Sequence, residues 1–449
     1  MTKEREHFGS GYAAVLAMAG SAIGLGNIWR FPYIVGQNGG AAFILVYLFC
    51  VAFLSLPIFL SESVIGRTAH AGAFGAFKKL APGTPWKWLS LITVVAPLVL
   101  LSYYSVVGGW SVGYFLDALT KGFTLSSQGQ FSSFISSVWT PIIFHTVFLG
   151  LTAIIVLGGV KSGIERFNKV SLPLLFVLIV ILTVYSITLP GASAGVSFLV
   201  KPDFSQLTPR SFAYAMGQSF FSMSLGIGAI LIYSSYMKKE ESIIAAGTGT
   251  SVFDFLFALL AGFAVMPAVF AAGIEPGAGP GLIFDSFPFI FGTMGESMPL
   301  LSRVVSILFF FTIVIAALTS SISVFEVIAA YLVEEKKMSR RKAVAVVFVV
   351  DWLLGVLCSL SFGPLGGIKI GGKIIFDFFD FLTSNFLMTV GALLFVIFVG
   401  WKMDKEVVRE EITNGGKLRF SARIFEPLWF LVRYVAPVAI ALIFITNLI

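Results

Sequence analysis

Residues 20–43 read GSAIGLGNIWRFPYIVGQNGGAAF and lie in the first long apolar segment of the chain. The middle of this segment carries Gly24-Leu25-Gly26. Glycine in a helix interior costs up to about 1 kcal/mol relative to alanine. Within a bilayer, unwound backbone persists only where protein or a water-filled cavity satisfies its polar groups. The glycine pair therefore predicts a membrane helix that is broken near its centre.

The same signal returns five apolar segments later, as Gly226-Ile227-Gly228. Because five is odd, a repeat of five spans re-enters the membrane from the opposite side. We therefore predict two inverted five-helix repeats, residues 10–190 and 211–401, with residues 424–449 as an additional helix. Many secondary transporters bind substrate and ions at the midplane between two such broken helices. The alternative is that both glycine pairs only permit close helix packing.

Composition identifies a membrane protein. Of the 449 residues 57% are hydrophobic and only 12% are charged, with a mean hydropathy of +0.94, whereas about a quarter of the residues of a soluble domain are charged. Apolar stretches of about 20 residues, each able to cross a bilayer, recur along the chain. We predict one all-α transmembrane domain, residues 1–449, with eleven transmembrane helices. The predicted spans are residues 12–35, 41–65, 89–119, 134–160, 167–189, 212–237, 243–272, 300–333, 343–362, 374–401 and 425–449.

The positions of the basic residues predict the orientation. With a cytoplasmic N-terminus, most of the 30 basic residues lie on the inner side, as the positive-inside rule requires. The exceptions are Arg30, Lys121, Lys201, Arg210, Arg303, Lys369, Lys373 and Arg433. The net charge of +7 is thus a topology signal rather than a sign of a nucleic-acid partner. We expect a multi-pass cell-membrane protein with its C-terminus outside and no obligatory protein partner. The absence of an N-x-S/T acceptor fits a prokaryotic plasma membrane.

The outer connection at residues 273–299 is rich in Gly, Pro, Phe and Ile. A solvated linker would not carry so many large apolar side chains. We expect this segment to fold back onto the outer face as a lid; the alternative is an ordinary interfacial loop.

Four motifs resemble a known family. Residues 20–43 closely resemble the first-helix signature of the neurotransmitter:sodium symporter family, as do PLVLLSYY (97–104), GQSFFSMSLGIGA (217–229) and ALTSSIS (317–323) at their own positions. The similarity is collinear from Arg5 to the end of the tenth span. It implies a sodium-coupled transporter of amino acids or related compounds, in which helices 1, 2, 6 and 7 rock against a scaffold. Many members have twelve spans, and this chain has eleven predicted.

The resemblance also implies two sodium sites. Sodium is a hard cation that prefers oxygen ligands. The first site takes the Ala22 carbonyl, Asn27, Ser222 and Asp254, with the substrate carboxylate as a further ligand. The second takes the carbonyls of Gly20, Ile23 and Ala316 and the hydroxyls of Thr319 and Ser320. Ser and Thr inside spans often bond only to their own helix, which is the competing interpretation of the second site.

The resemblance also implies a substrate pocket. Tyr104 aligns with the family tyrosine that binds the substrate carboxylate, and Gly24 stands where monoamine carriers have Asp, which favours a substrate with its own carboxylate. Mostly apolar walls favour a hydrophobic or aromatic side chain. The implied pocket residues are Ala22, Gly24, Leu25, Gly26, Leu100, Tyr104, Phe221, Ser222, Ser224, Ile227, Ser320 and Val324.

Asp254 departs from the members that carry Asn at its position. A carboxylate in the middle of a membrane costs about 2.5 to 3.5 kcal/mol on insertion scales and is a functional candidate by default. Chloride-dependent relatives balance sodium with the anion, whereas Asp254 can supply that charge itself. We therefore predict chloride-independent transport, and we hypothesise that Asp254 is protonated on the return step, which would allow proton counter-transport.

The resemblance also assigns two gates. Arg30 and Asp380 would close the outer side, with Asp377 as an alternative partner and with Phe221 and Tyr104 as an aromatic lid. Arg5 and Glu334 would close the inner side, with Glu335 as the alternative. Without the resemblance, charged residues at helix ends are usually solvated.

Gly163 and Pro173 in the fifth span favour local unwinding. The resemblance suggests that water reaches the second sodium site there; a simple proline kink is the alternative.

The sequence disfavours two other function classes. An ion channel also uses broken helices and lined cavities, but opposed charged gates around a compact pocket favour a transporter. An enzyme is disfavoured because the sequence has no HExxH or similar metal-ligand spacing. His7, His70 and His145 are isolated in sequence.

Overall fold

The structure, a computed structural model, is described for residues 7–127, 129–276 and 282–448. Within these ranges nine helices are long and apolar enough to cross a membrane, and a bent pair of shorter helices makes ten. The membrane helices are numbered in chain order as Gly11–Ala22 with Gly26–Gln37 (α1), Ala41–Ala69 (α2), Trp86–Thr120 (α3), Trp139–Leu157 (α4), Val160–Ile187 (α5), Pro209–Ser222 with Ala229–Ser234 (α6), Ile243–Ala271 (α7), Pro299–Glu334 (α8), Arg340–Leu360 (α9), Ile375–Lys402 (α10) and Ala422–Ile445 (α11).

The sixth helix lies outside the count of ten because its halves, Pro209–Ser222 and Ala229–Ser234, are each too short to span a bilayer and are separated by a longer break than the halves of α1. The predicted all-α membrane fold is confirmed, and the predicted number of eleven spans is consistent with this arrangement.

Helices are the expected form for these apolar segments because in lipid each backbone polar group must find its partner within the protein. The fifth helix has one face on the outside of the bundle and one face in its interior. Val177, Val180, Ile181 and Val184 are each 44–57% exposed and form an apolar stripe on the outside of the bundle. Leu175, Leu178, Ile179 and Leu182 lie on the opposite face and are at most 5% exposed.

The bundle is organised around a few long helix pairs. Helix α3 runs along α8 and α4, and α5 runs along α7. The first half of α1, Gly11–Ala22, packs against α7, α8 and α5. This arrangement places the break of α1 inside the bundle, where Ile23 and Leu25 are completely buried.

Both predicted helix breaks are present. The two halves of α1 are bent by 47°. In α6 the break covers residues 223–228, in which Ser224, Gly226 and Gly228 have positive φ angles. A Cβ at Gly226 would overlap the Met388 carbonyl of α10, so this position requires glycine both for its conformation and for space. The bounds of the two repeats, 10–190 and 211–401, stay predictions.

The segment after α7 folds back onto the end of the bundle that the sequence predicts to be external. Its described part forms the helices Leu282–Ser286 and Phe287–Ser297, while residues 277–281 lie outside the described ranges. Phe284 is fully buried and its ring centroid lies 5.8 Å from that of Trp110 and 5.4 Å from that of Tyr114, both on α3. This outer aromatic cluster consists of Trp110, Tyr114, Phe123, Phe131, Phe284, Phe291 and Phe310.

A small antiparallel hairpin precedes α10 and was not predicted. Strand β1, Lys369–Ile370, pairs with strand β2, Lys373–Ile374. The two residues between them, Gly371 and Gly372, have φ angles of 57° and 80°, which is the geometry that two-residue hairpin turns need. The remaining short helices are Ala73–Leu80, Leu125–Ser127, Gln130–Ser136, Ser193–Val200, Phe204–Gln206 and Lys405–Thr413.

Candidate functional site

The break of α1 turns backbone amides away from their own helix. In a continuous α-helix each amide would donate to the carbonyl four residues earlier. Instead the amide of Gly24 donates to Oδ1 of Asn27 at 3.0 Å, and the amide of Leu25 donates to the Tyr104 hydroxyl at 3.2 Å. The amide of Asn27 donates to the Gly24 carbonyl at 3.1 Å. The carbonyls at the end of the first half of α1 are therefore available to other groups.

Ser21 shows how these carbonyls are used. Its carbonyl accepts a hydrogen bond from the Ser224 hydroxyl at 2.9 Å and from the Ser320 hydroxyl at 3.0 Å. Ser224 belongs to the break of α6 and Ser320 to α8. Hydroxyls from two other helices thus replace the missing amide of α1. Ser224 was predicted to line the substrate pocket, and its hydroxyl points to this carbonyl.

A buried carboxylate lies beside the break. Oδ1 of Asp254 accepts hydrogen bonds from Nδ2 of Asn27 at 2.8 Å and from the Ser222 hydroxyl at 2.7 Å. Oδ2 accepts one from the Tyr47 hydroxyl at 3.1 Å. All four side chains are at most 1% exposed. Two hydroxyls and the amide nitrogen of Asn27 thus satisfy the buried carboxylate, whose oxygens and neighbouring hydroxyls can also serve as ligands of a small cation. We call it the carboxylate cluster.

The helix dipole favours the same chemistry. Ala22 ends the first half of α1 and is 2% exposed. The C-terminal end of a half-helix carries a partial negative charge and favours cations, whereas the N-terminal end favours anions. The second half begins at Gly26, so the break presents both kinds of end within a few residues.

A second group of oxygens lies between α1 and α8 and contains no carboxylate among its described members. The Thr319 hydroxyl is 2.9 Å from the Ile23 carbonyl and 2.8 Å from the Ala316 carbonyl. The Ser320 hydroxyl is 3.3 Å from the Ile23 carbonyl. Gly20 lies one helical turn before Ile23. We call these residues the carbonyl cluster.

The predicted pocket residues surround the break of α1. A Cβ at Gly24 would overlap the hydroxyls of Ser320 and Tyr104, and a Cβ at Gly26 would lie 3.1 Å from the ring of Phe221. The apolar lining residues are buried as well, none being more than 5% exposed: Leu25, Leu100, Ile227 and Val324. The structure therefore has a closed centre.

The comparison with known families agrees with this geometry. The sequence model described as the sodium:neurotransmitter symporter family matches residues 5–133 and 130–449, which together span nearly the whole chain. The chain belongs to this family. This symporter is accordingly a sodium-coupled membrane transporter and not an enzyme, as the motifs predicted.

Individual relatives support the same assignment. The symporter is 38% identical over 440 residues to YhdH, an uncharacterized sodium-dependent transporter of Bacillus subtilis, with 97% of this chain and 96% of YhdH covered. It is 36% identical to an uncharacterized sodium-dependent transporter of Haemophilus influenzae, with 99% of each chain covered. The crystal structure of MhsT in complex with L-phenylalanine has 40% sequence identity and a TM-score of 0.91, covering 99% of this chain and 100% of MhsT.

The residues of the predicted outer gate do not form an ion pair. The Arg30 guanidinium lies 4.5 Å from the centroid of the Phe221 ring, and Asp380 lies within electrostatic range of it. Among the residues that the structure describes, no carboxylate oxygen comes within 4.0 Å of Arg30. Asp380 instead accepts a hydrogen bond from Ser384 at 3.2 Å. The pairing of Arg30 with Asp380, or with Asp377, stays a prediction.

The inner gate is described only in part, because Arg5 lies outside the described residues. Oε2 of Glu334 accepts a hydrogen bond from the Gly72 amide at 2.7 Å. Phe8 is 1% exposed and packs edge-on against Tyr233 and Tyr236. Phe8 is thus packed between aromatic side chains at the end of α6, and the Arg5–Glu334 pair stays a prediction.

The predicted unwinding segment is wound in this structure. Residues Val160–Glu165 form a π-helical turn at the start of α5, and Pro173 lies inside the helix that follows. A Cβ at Gly163 would overlap the Ile155 carbonyl. Glycine is thus required for the wound form, so a Gly163→Ala change would disfavour that form.

Sequence reasoning missed two side chains of the site. Glu62 of α2 is fully buried and accepts hydrogen bonds from the amides of Gly226 at 2.7 Å and Leu231 at 3.3 Å, so it holds the break of α6. A lone carboxylate in an apolar span was the signal that could have identified it. Tyr47 carried no comparable signal, because a tyrosine among apolar residues is typical of packing.

Proposed function

We propose that this symporter carries L-amino acids with hydrophobic or aromatic side chains into the cell, together with sodium bound at two sites and without chloride. The observation that carries the proposal is the carboxylate cluster: Asp254 is fully buried and is surrounded by Asn27, Ser222 and Tyr47. A fixed negative charge beside oxygen ligands suits a sodium ion.

The substrate class is inferred from the amides that the break exposes. The Leu25 amide and the Tyr104 hydroxyl are 3.2 Å apart, and both can donate a hydrogen bond to a carboxylate. Gly24 brings no carboxylate of its own, so the negative charge comes with the substrate. The relative MhsT was crystallised with L-phenylalanine, a compound with both a carboxylate and an aromatic side chain.

The preference for apolar side chains follows from the pocket walls. Leu25, Leu100, Ile227 and Val324 contribute hydrocarbon surface around the site. Burying an apolar side chain there contributes about 25 cal/mol per Å². Phe221 would cover the bound substrate from the side of Arg30, whose guanidinium lies on its ring.

Two sodium ions would occupy the two clusters. The first would bind Asn27, Ser222, Asp254, the Ala22 carbonyl and the substrate carboxylate, so ion and substrate would raise each other's affinity. The second would bind in the carbonyl cluster, to the carbonyls of Gly20, Ile23 and Ala316 and to the hydroxyls of Thr319 and Ser320.

Transport would proceed by alternating access with a cytoplasmic N-terminus and an external C-terminus. The outer clasp of Arg30 and Asp380 and the inner clasp of Arg5 and Glu334 would open in turn. Unwinding at Gly163 and Pro173 would admit water to the second sodium. On the return step Asp254 would take up a proton.

The test is uptake by the purified protein in proteoliposomes. All twenty amino acids are screened by thermal shift with and without sodium, and the ligands that stabilise are then tested as labelled substrates under an inward sodium gradient. We expect sodium-dependent, saturable uptake of large aliphatic or aromatic amino acids. A screen without any sodium-dependent ligand would contradict the amino-acid assignment, and a non-saturating, sodium-independent flux would favour a channel.

Chloride and proton coupling are tested in the same vesicles. Replacement of chloride by gluconate should leave uptake unchanged, and a collapse of uptake would contradict the role given to Asp254. Substrate-driven alkalinisation of the vesicle interior, read with a trapped pH dye, is expected if a proton leaves on the return step. A constant internal pH during uptake would exclude proton counter-transport.

A further inference from the structure

Asn168 is a buried polar side chain that has no partner in the described part of the chain. It lies on α5 and is 0% exposed. Neither its amide nitrogen nor its amide oxygen makes a hydrogen bond to any described residue. Leaving a buried amide unsatisfied costs free energy, and buried polar groups are normally paired. A structural asparagine would be expected to bond to the backbone of a neighbouring helix.

The amide lies directly over Gly20 of α1. A Cβ at Gly20 would overlap the Asn168 amide group, so glycine is needed there to make room for it. Gly20 is a predicted ligand of the second sodium. In a continuous helix its carbonyl would accept from the Gly24 amide, which instead donates to Asn27. The Asn168 amide thus faces the residue whose carbonyl the helix break has released.

A carboxylate lies on the same face of α5, one turn closer to the cytoplasm. Glu165 precedes Asn168 by three residues, a spacing that places both on one helical face. It is 4% exposed. Its Oε2 accepts a hydrogen bond from the Gly9 amide at 2.9 Å, and its Oε1 accepts one from Lys169 at 2.5 Å. Oxygen ligands therefore follow one another from the carbonyl cluster through Asn168 to Glu165.

We propose that the amide oxygen of Asn168 is a transient sodium ligand, which the ion contacts as it passes between the carbonyl cluster and the cytoplasm. The inference rests on the proposed second sodium site. An ion passes through a site only if it binds strongly enough to enter it and weakly enough to leave it. A neutral amide oxygen meets this requirement better than a carboxylate does, since it carries no full charge to retain the ion.

The experiment compares the turnover of transport, which includes sodium release, with the equilibrium binding of sodium. Asn168→Leu keeps the branching and the number of non-hydrogen atoms of the side chain but has no oxygen ligand. In proteoliposomes we expect the turnover of sodium-driven uptake to fall at least about tenfold, because the ion loses a stabilising contact in its barrier. Equilibrium sodium dependence of substrate binding, measured by scintillation proximity on the same protein, should remain within about twofold, because the ligands of the bound ion are intact.

A charged variant gives a readout that a purely structural role would not change. Asn168→Asp keeps an oxygen and adds a charge, so it should retain sodium on the exit path. We expect inhibition of uptake by sodium inside the vesicles to become stronger in Asn168→Asp and weaker in Asn168→Leu. The matched control is Ser186→Ala, which removes a buried hydroxyl of α5 that also has no partner among the described residues, near the opposite end of the helix, and should change neither quantity.

Three outcomes overturn the inference: normal turnover of Asn168→Leu, a parallel loss of turnover and equilibrium sodium binding, or the same internal-sodium inhibition in both variants. The second outcome would make Asn168 a structural residue or a ligand of the resting ion. Failure of the proposed function would appear in the wild-type protein, as absence of sodium-dependent uptake. Failure of this inference appears only in the variants.

Discussion

The carboxylate cluster and the carbonyl cluster lie on either side of one helix break, yet they are built differently. In the carboxylate cluster, Asn27, Ser222 and Tyr47 all bond to the charged side chain of Asp254. In the carbonyl cluster, main-chain oxygens of Ile23 and Ala316 meet the Thr319 hydroxyl. The first is organised around a full charge and the second around dipoles.

The two clusters also join different helices. The carboxylate cluster takes one side chain each from α1, α2, α6 and α7, the helices proposed to move together. The carbonyl cluster joins α1 to α8, which belongs to the proposed scaffold. The difference suggests a division of labour, in which the first ion holds the moving bundle and its substrate, and the second ion fastens that bundle to the scaffold.

Asp254→Asn should have the largest effect, because it converts the charged cluster into a neutral one. Removing one partner of a buried charge pair costs about 3 kcal/mol or more, so we expect uptake without chloride to fall at least about hundredfold. The hydrogen-bond donors of Asn27, Ser222 and Tyr47 could then bind an anion from solution. Added chloride should therefore restore part of the activity. Uptake is measured in gluconate and in chloride.

The control for this variant is Asp203→Asn, which neutralises an exposed carboxylate at the start of the turn Phe204–Gln206. It should transport normally in both media. If Asp254→Asn were also indifferent to chloride and fully active, the distinction between the two clusters would be lost.

Thr319→Val tests the neutral cluster alone. The change removes one oxygen and keeps the shape, and loss of a hydrogen-bonding group to a charged partner costs about 1.5 kcal/mol. The sodium concentration for half-maximal uptake should rise roughly tenfold, while chloride has no effect. Thr319→Ser keeps the hydroxyl and should behave as the wild type. An unaltered sodium dependence of Thr319→Val would mean that no ion uses this hydroxyl.

Tyr47→Phe should have the smallest effect and sharpens the comparison within the carboxylate cluster. Tyr47 bonds to Oδ2 of Asp254, whereas Asn27 and Ser222 bond to Oδ1. Loss of this one bond should weaken sodium affinity about threefold, in line with about 1 kcal/mol or less for a single hydrogen bond. Sodium titration of substrate binding provides the measurement. Tyr12→Phe, at a tyrosine that is 63% exposed, is the control, and equal effects of both changes would argue against any role of the Tyr47 hydroxyl.

Much of this architecture could be predicted from local sequence signals. Paired glycines at Gly24 and Gly226 identified both helix breaks, because glycine in a membrane helix is costly without a reason. Asp254 was recognisable as a carboxylate within an apolar span. In each case a single residue was unusual for its immediate surroundings.

The features that were missed depend on contacts between distant segments. Tyr47 meets Asp254 across 207 residues of sequence, and no local pattern distinguishes it from a packing tyrosine. The sequence also could not predict that Arg30 forms no ion pair with a described carboxylate, because the distance between two side chains depends on how closely their helices approach. Asn168 carried no signal in the sequence, because its position over Gly20 depends on how α5 packs against α1.

The outer aromatic cluster contains a built-in optical probe. Trp110 is 2% exposed and its ring contacts Phe284 of the folded-back outer segment at 5.8 Å and Phe376 of α10 at 5.5 Å. Movement of either neighbour would alter the environment of the indole. The chain has eight tryptophans, so a variant with Phe at the other seven would report opening of the outer face as a change in emission, in real time and without an attached dye.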